Sequence, residues 1–298
     1  MDPSIWTQVA AYIGCEDLST ALPALCGLGW RCFELSTEHL QLIEDAPDRQ
    51  RRIERAVEQL AALGARMPQA HALLAADVAH GDPARRDADM DRVWKNLRTC
   101  AALGVKVVVV HPGTGGCWRT RDEYRTVLET NARQFRILGD QAGELGLRIA
   151  LENLFDPRSD RRGRRFGSLP CELLELLGGL GHPALGVCLD TSHANVQGLD
   201  VAQAVRDFAP YLIATHLSDN DGSGDQHRTP GYGKIDWAPV MAAFAEAGYP
   251  GPLNLEIPGE AGPCRALVRL KVRQALEVTR RLIALVRAGG HDEVDNEA

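Results

Sequence analysis

Five of the nine histidines, His71, His111, His193, His216 and His227, stand at or just beyond the end of a short apolar run. Glu152, Asp190 and Glu256 end three such runs, and Asp225 lies two residues before His227. Taken singly, each is an ordinary hydrogen-bonded polar group. Together they are a ligand set. Imidazole mixed with carboxylate suits Zn, Mn or Fe(II) better than Ca. Several carboxylates crowded into one funnel cost desolvation energy unless a cation compensates them. The candidates outnumber what one ion can use, so one to three divalent metal ions are expected, supplying Lewis-acid chemistry. Asp219 and Asp221, beside Gly222 and Gly224, read as turn residues.

For these side chains to meet, the apolar runs must end on one side of one sheet. A repeated pattern does this: a helix-like segment, a Leu-Gly or similar stop, an apolar run, then a polar residue. It occurs in ALCGLGWRCFELS, AALGARMPQAH, AALGVKVVVVHPG, AGELGLRIALEN, GHPALGVCLDTSH, FAPYLIATHLSD and AGYPGPLNLEIPG. The glycine after these helices, present in all the units but FAPYLIATHLSD, is a C-cap signal. Runs such as VKVVVV, without alternation, fit parallel strands covered on both faces. With TQVAAYIG as the first strand, the pattern predicts an α/β chain folded as a (β/α)8 TIM barrel over residues 1–288, followed by a polar tail over 289–298. A doubly wound open sheet is the alternative, but the Gly-rich phosphate loop that often follows its first strand is not evident. In such barrels chemistry is built at the C-terminal strand ends, where all the candidate ligands fall.

The bulk properties agree. Hydrophobic residues make up 45% of 298 residues, and no apolar run is long enough to span a membrane. The opening MDPSIWTQVAAYIG lacks the pattern of a secretion signal, which predicts a cytoplasmic protein. The net charge of −7 weighs against general nucleic-acid binding. Eight cysteines without a C-x-x-C pair read as reduced packing residues.

The segments VVVVHPG, IALENL, GVCLDTSHANVQG, THLSDNDGSGDQHRTPGYGKIDW and LNLEIPG are similar to those of the xylose isomerase-like TIM barrels, the superfamily of sugar-phosphate isomerases and epimerases and of endonuclease IV. The sugar epimerase branch implies a metal site of Glu152, Asp190, His216 and Glu256. In that branch Glu152 and Glu256 are catalytic, exchanging a proton with the carbon beside a carbonyl. The endonuclease IV branch implies three zinc ions on nine ligands, His71, His111, Glu152, Asp190, His193, His216, Asp225, His227 and Glu256, and hydrolysis of DNA beside an abasic site.

Other positions favour the sugar branch. Leu74 stands where endonuclease IV carries an aromatic residue three positions after the third-strand histidine. LFDPRSDRRGRRFGS replaces its Thr-Ala-Gly segment, and FELS, with Glu34, resembles the isomerases. Against this, the arginine that commonly follows the seventh-strand histidine in ketose epimerases is replaced by Asp225 and His227.

The expected function is therefore a divalent-metal-dependent isomerase or epimerase of a sugar, sugar phosphate or derivative, working through an enediolate on a small-molecule carbohydrate. Endonuclease IV-like hydrolysis is the alternative, and a non-catalytic barrel the third reading. Substrate contacts are expected from Asn153, Trp118 and Lys234. They are also expected from the arginine group 158, 161, 162, 164 and 165, chiefly Arg162 and Arg165, as a grip on an anionic group. Packing is the competing expectation for Trp118, and a solvated loop for the arginines. A homo-oligomer is left open.

Overall fold

The computed structural model describes residues 1–156 and 163–287. Eight strands run parallel: β1 (Pro3–Trp6), β2 (Cys32–Leu35), β3 (Arg66–His71), β4 (Val107–Val110), β5 (Arg148–Glu152), β6 (Leu185–Asp190), β7 (Leu212–His216) and β8 (Leu253–Leu255). Their order is β7-β6-β5-β4-β3-β2-β1-β8. A parallel bridge between Leu217 and Leu255 joins β8 back to β7, with the Leu217 N–H donating to the Asn254 carbonyl at 2.7 Å. The result is the (β/α)8 TIM barrel expected from the alternating pattern.

Around it lie α1 (Leu18–Gly27), α2 (Thr37–Glu44), α3 (Arg49–Ala62), α4 (Pro83–Ala102), α5 (Arg121–Glu144), α6 (Pro170–Leu180), α7 (Thr191–Val196), α8 (Val201–Phe208), α9 (Trp237–Glu246) and α10 (Arg265–Arg287). None of these helices is long and apolar enough to cross a membrane. Gly64, Gly104 and Gly146, which follow α3, α4 and α5, have φ of +58°, +80° and +67°, so the Leu-Gly stops do end helices in the left-handed region.

Two apolar layers result. The larger core lies between helices and strands and includes Trp30, Phe33, Phe135, Phe208 and Phe244. The smaller one, Val109, Ala150, Cys188 and Ala214, is a separate cluster. Each of its members stands two residues before a candidate ligand: His111, Glu152, Asp190 and His216. Side chains alternate faces along a strand, so the small residues and the ligands point the same way, inward. The small layer is the floor of the ligand layer.

Two expectations change. The first strand is Pro3–Trp6, while Thr7–Ile13 in the expected strand TQVAAYIG is a 3-10 helix. Thr7, Val9, Ala10 and Ile13 are its buried residues, and three of them, Thr7, Ala10 and Ile13, recur at a spacing of three that a strand cannot satisfy. Along α10, Val268, Val272, Leu276 and Leu282 are buried, whereas Leu270 is exposed. Asp219 is no simple turn residue, as described below. The eight cysteines are free. The tail 289–298 lies outside the described residues.

Candidate metal centre

Every one of the nine candidate ligands belongs to one connected cluster. Glu152, at the end of β5, is its centre. Its Oε2 lies 3.0 Å from His71 Nε2 and 3.3 Å from His111 Nε2. Its Oε1 lies 3.3 Å from His216 Nδ1 and 3.4 Å from His193 Nδ1. Glu256, from just beyond β8, puts Oε2 3.3 Å from the same His216 Nδ1. Its N–H donates to the Leu217 carbonyl, so the bridge that closes the barrel also sets this glutamate. Donor atoms of Glu152, Asp190, His216 and Glu256 all lie within 4.8 Å of one another, as do those of His71, Glu152 and His216, and of Asp190, His193 and His227.

Asp190 ends β6 and caps α7. Its Oδ1 accepts the His193 N–H at 2.8 Å, which turns the DTSH segment so that His193 folds back over the site. The segment 217–236 brings the last two candidates. Asp225 lies 2.9 Å from His227 Nε2 and 3.4 Å from His193 Nε2, and it accepts from Ser192 Oγ. His227 is the one non-glycine at positive φ (+44°) among the described residues. A strained backbone persists where its surroundings over-determine it. Here His227 Nδ1 lies 3.0 Å from the Glu256 carbonyl and 3.2 Å from Ser218 Oγ, and the His227 carbonyl accepts from the Gly259 N–H.

Asp219 holds this segment in place. It is fully buried. Oδ1 accepts the Asn220 and Ile235 N–H groups, and Oδ2 accepts the Gly231 N–H and Trp237 Nε1. A Cβ on Gly233 would lie 2.2 Å from Asp219 Oδ1, so only glycine fits there. Asp221 does make the expected turn, accepting from Ser223.

The residues present fit divalent cations. Asp190 Oδ2 and His216 Nδ1 are buried without a hydrogen-bond partner, although both belong to the four-donor group. Buried polar atoms are ordinarily paired, so two orphans aimed into one group of donors fit a role as ligand atoms. The electrostatics agree. Burial raises the Asp190 and Glu256 carboxyls above their usual range. Burial also opposes charge on Glu152, but the His216, His111 and His71 imidazoles outweigh it and hold its pKa well below the usual value. Burial likewise works against charged His193 and His227. Nearby carboxylates, Asp190 and Asp225 among them, overcome it and raise these histidines to about 9 and about 10.

The expected substrate residues divide. Arg165 is half-buried, its guanidinium 5.9 Å from the Phe155 ring centroid, and Phe155 in turn lies 5.1 Å from the His193 ring. It is therefore near the site. Asn153 is instead turned to the Asp190 backbone, donating to its carbonyl at 3.0 Å and accepting its N–H at 2.7 Å. Trp118 packs edge-on against Tyr124 and bridges Arg164 through its backbone. Lys234 is exposed, its backbone N–H on the Asn220 carbonyl. Arg158, Arg161 and Arg162 lie outside the described residues.

Sequence reasoning did not place Phe155 or Gln69 at the site and gave Glu34 no contact. His216 Nε2 lies 2.8 Å from Glu34 Oε2, which also accepts from Gln69. The signal available for Gln69 was its place two residues before His71.

A (β/α)8 barrel with such a cluster at its strand ends carries side chains that could hold a metal ion. The chain belongs to the xylose isomerase-like TIM barrel family, whose sequence model matches residues 24–282. It is 30% identical over 122 residues to a ketose 3-epimerase of Arthrobacter globiformis, covering 40% of this chain and 38% of that one. It is 28% identical over 210 residues to a probable endonuclease 4 of Nitratidesulfovibrio vulgaris strain DP4, covering 64% and 71%. The chain spans about half the length of the first curated relatives it matches. A solved D-tagatose 3-epimerase-like protein superimposes with a TM-score of 0.78 at 21% identity, covering 97% of this chain and 99% of that one, which establishes the shared fold.

Proposed function

We propose that the protein is a divalent-metal-dependent isomerase or epimerase of a small sugar or sugar derivative, moving a proton through an enediolate. The observation that carries this reading is that Glu152 and Glu256 each place a carboxylate oxygen 3.3 Å from one imidazole nitrogen, His216 Nδ1, with Asp190 completing the four donors. A cation held by these residues supplies Lewis-acid polarisation of a carbonyl oxygen. The two glutamates, from β5 and the end of β8, then act on the neighbouring carbon, one removing its proton and the other returning it. Glu256 is the better placed base. Its contacts with His216 and His227 both use Oε2, which leaves Oε1 for the proton. Arg165, steadied over Phe155, supports an anionic substituent on the substrate, a phosphate or carboxylate.

A second reading has its own observation. Both oxygens of Glu152 lie within 3.4 Å of histidines on either side, so Glu152 could serve more than one ion, and His193, Asp225 and His227 gather beside it. That favours a multi-ion centre and keeps endonuclease IV-like phosphodiester hydrolysis as the alternative. Incubation of zinc- or manganese-loaded protein with a panel of ketoses and ketose phosphates, alongside an abasic-site duplex, separates the two. Interconversion of at least one sugar without incision is expected. Incision without any sugar turnover would overturn the proposal.

A further inference from the structure

Glu34 lies at the middle of β2, one of the strands that brings no candidate ligand, and is fully buried. Its Oε2 meets His216 Nε2 at 2.8 Å and also accepts from Gln69 Nε2. Gln69 donates to the Thr215 carbonyl as well, at 3.3 Å, so the amide is fixed between β2 and β7. Glu34 Oε1 has no hydrogen-bond partner. A buried carboxylate that leaves one oxygen unsatisfied is costly to keep, and such exceptions call for a specific role.

We propose that Glu34 is a positioning residue for the metal centre. It fixes His216 with the proton on Nε2, so that the Nδ1 lone pair faces the four-donor group, and it makes that nitrogen the stronger donor. The chemistry follows from the acceptors available. A carboxylate oxygen can only accept, so the imidazole nitrogen facing it must carry the hydrogen. The other nitrogen, Nδ1, is then unprotonated, and it is the orphaned atom that Glu152 and Glu256 both approach. A carboxylate behind a ligating imidazole fixes its ring orientation and raises its basicity, and removing such a partner typically weakens metal binding by about 10- to 100-fold. Gln69 extends the chain one step further, orienting Glu34 as Glu34 orients His216.

This inference rests on the metal-site reading, and its test reads binding rather than turnover. Titrate zinc into metal-free wild type, Glu34→Gln, Glu34→Ala and the control Glu44→Gln, in competition with a chromophoric chelator. Glu44 is a carboxylate hydrogen-bonded to Asn96 and Thr99, away from the site. Expected is a loss of about 10-fold or more in affinity for Glu34→Gln, a larger loss for Glu34→Ala, and wild-type affinity for the control. Zinc bound equally by wild type and both Glu34 variants would overturn the inference. No zinc binding by wild type would instead refute the metal site itself. Nitrogen-15 NMR of zinc-loaded, histidine-labelled wild type gives an answer even if the variants fail to fold. It should show His216 ligated through Nδ1 with Nε2 protonated, and ligation through Nε2 would contradict the proposal.

Discussion

At the residue scale, the site asks different things of its two glutamates. Glu152 touches four histidines through both oxygens, whereas Glu256 reaches His216 and His227 through one. Replacing Glu256 with Gln should therefore act mainly on proton transfer. A loss of about 10²–10⁴-fold in kcat is expected, the usual contribution of a general acid or base, with most of the wild-type metal content retained by elemental analysis. Glu152→Gln should lose both activity and metal, because an amide cannot offer two anionic oxygens to two flanking sets of donors. Equal metal content in the two variants would argue that Glu152 matters no more to metal binding than Glu256 does. The clustering of these candidate ligands was legible in the sequence because a strand puts every second residue on the inner face, so polar residues closing apolar runs had few other places to go. Glu34 was visible as a motif residue only. Its contact with His216 joins positions 182 residues apart, and nothing local encodes such a pairing.

At the element scale, the segment after β7 was read from its glycines and acids as a loop reaching the site. What positions it was less accessible. Asp219 was taken for a turn residue because Asp beside Gly favours turns, yet its carboxylate gathers four donors from residues 220 to 237. In Asp219→Asn, one oxygen becomes an amide nitrogen facing two N–H groups. Leaving such donors unpaired costs about 2–4 kcal/mol, so urea denaturation should show a loss of that order, while Asp221→Asn changes little. The same variant should bind fewer metal ions, because Asp225 and His227 ride on this segment. A second contact is backbone against backbone. A Cβ on Gly259 would sit 2.0 Å from the Gln226 carbonyl and 2.6 Å from the His227 carbonyl. Gly259→Ala should therefore move His227 and weaken metal binding without touching any ligand, which competition with a chelator would detect. The first strand shows the opposite kind of failure. TQVAAYI is apolar enough for a strand, but Thr7, Ala10 and Ile13 are buried at every third position, and tertiary packing selects the helix.

At the scale of the whole molecule, the barrel explains why residues scattered from 71 to 256 form one site. Parallel strands end together, and closure through Leu217 and Leu255 sets Glu256 beside His216. It also explains why this site should couple to stability. Buried Glu152 and Asp190 share the funnel with half-buried Glu256, and a cation that binds only the folded barrel stabilises it by mass action. At 100 times its Kd that contribution is about 2.7 kcal/mol, or roughly 5 °C in Tm for a chain of this size. Chelation should therefore lower Tm by about that amount, and restoring zinc or manganese should reverse it. An unchanged Tm would count against tight binding by the folded state. The fold itself was readable from the repeated helix–glycine–strand pattern, since each unit carries its own stop signal. The reaction was not, because the same ligand layer serves proton transfer and phosphodiester hydrolysis, and the difference lies in what approaches it from the mouth.

The most direct test of the central claim is to incubate metal-loaded protein with ketoses and ketose phosphates in D2O and follow the carbon beside the carbonyl by NMR. Deuterium should enter at that carbon for a turned-over sugar, and the Glu256→Gln variant should abolish the exchange. Sugar turnover without any deuterium uptake, or no uptake from any sugar while the same preparation incises an abasic-site duplex, would contradict proton transfer by the two glutamates.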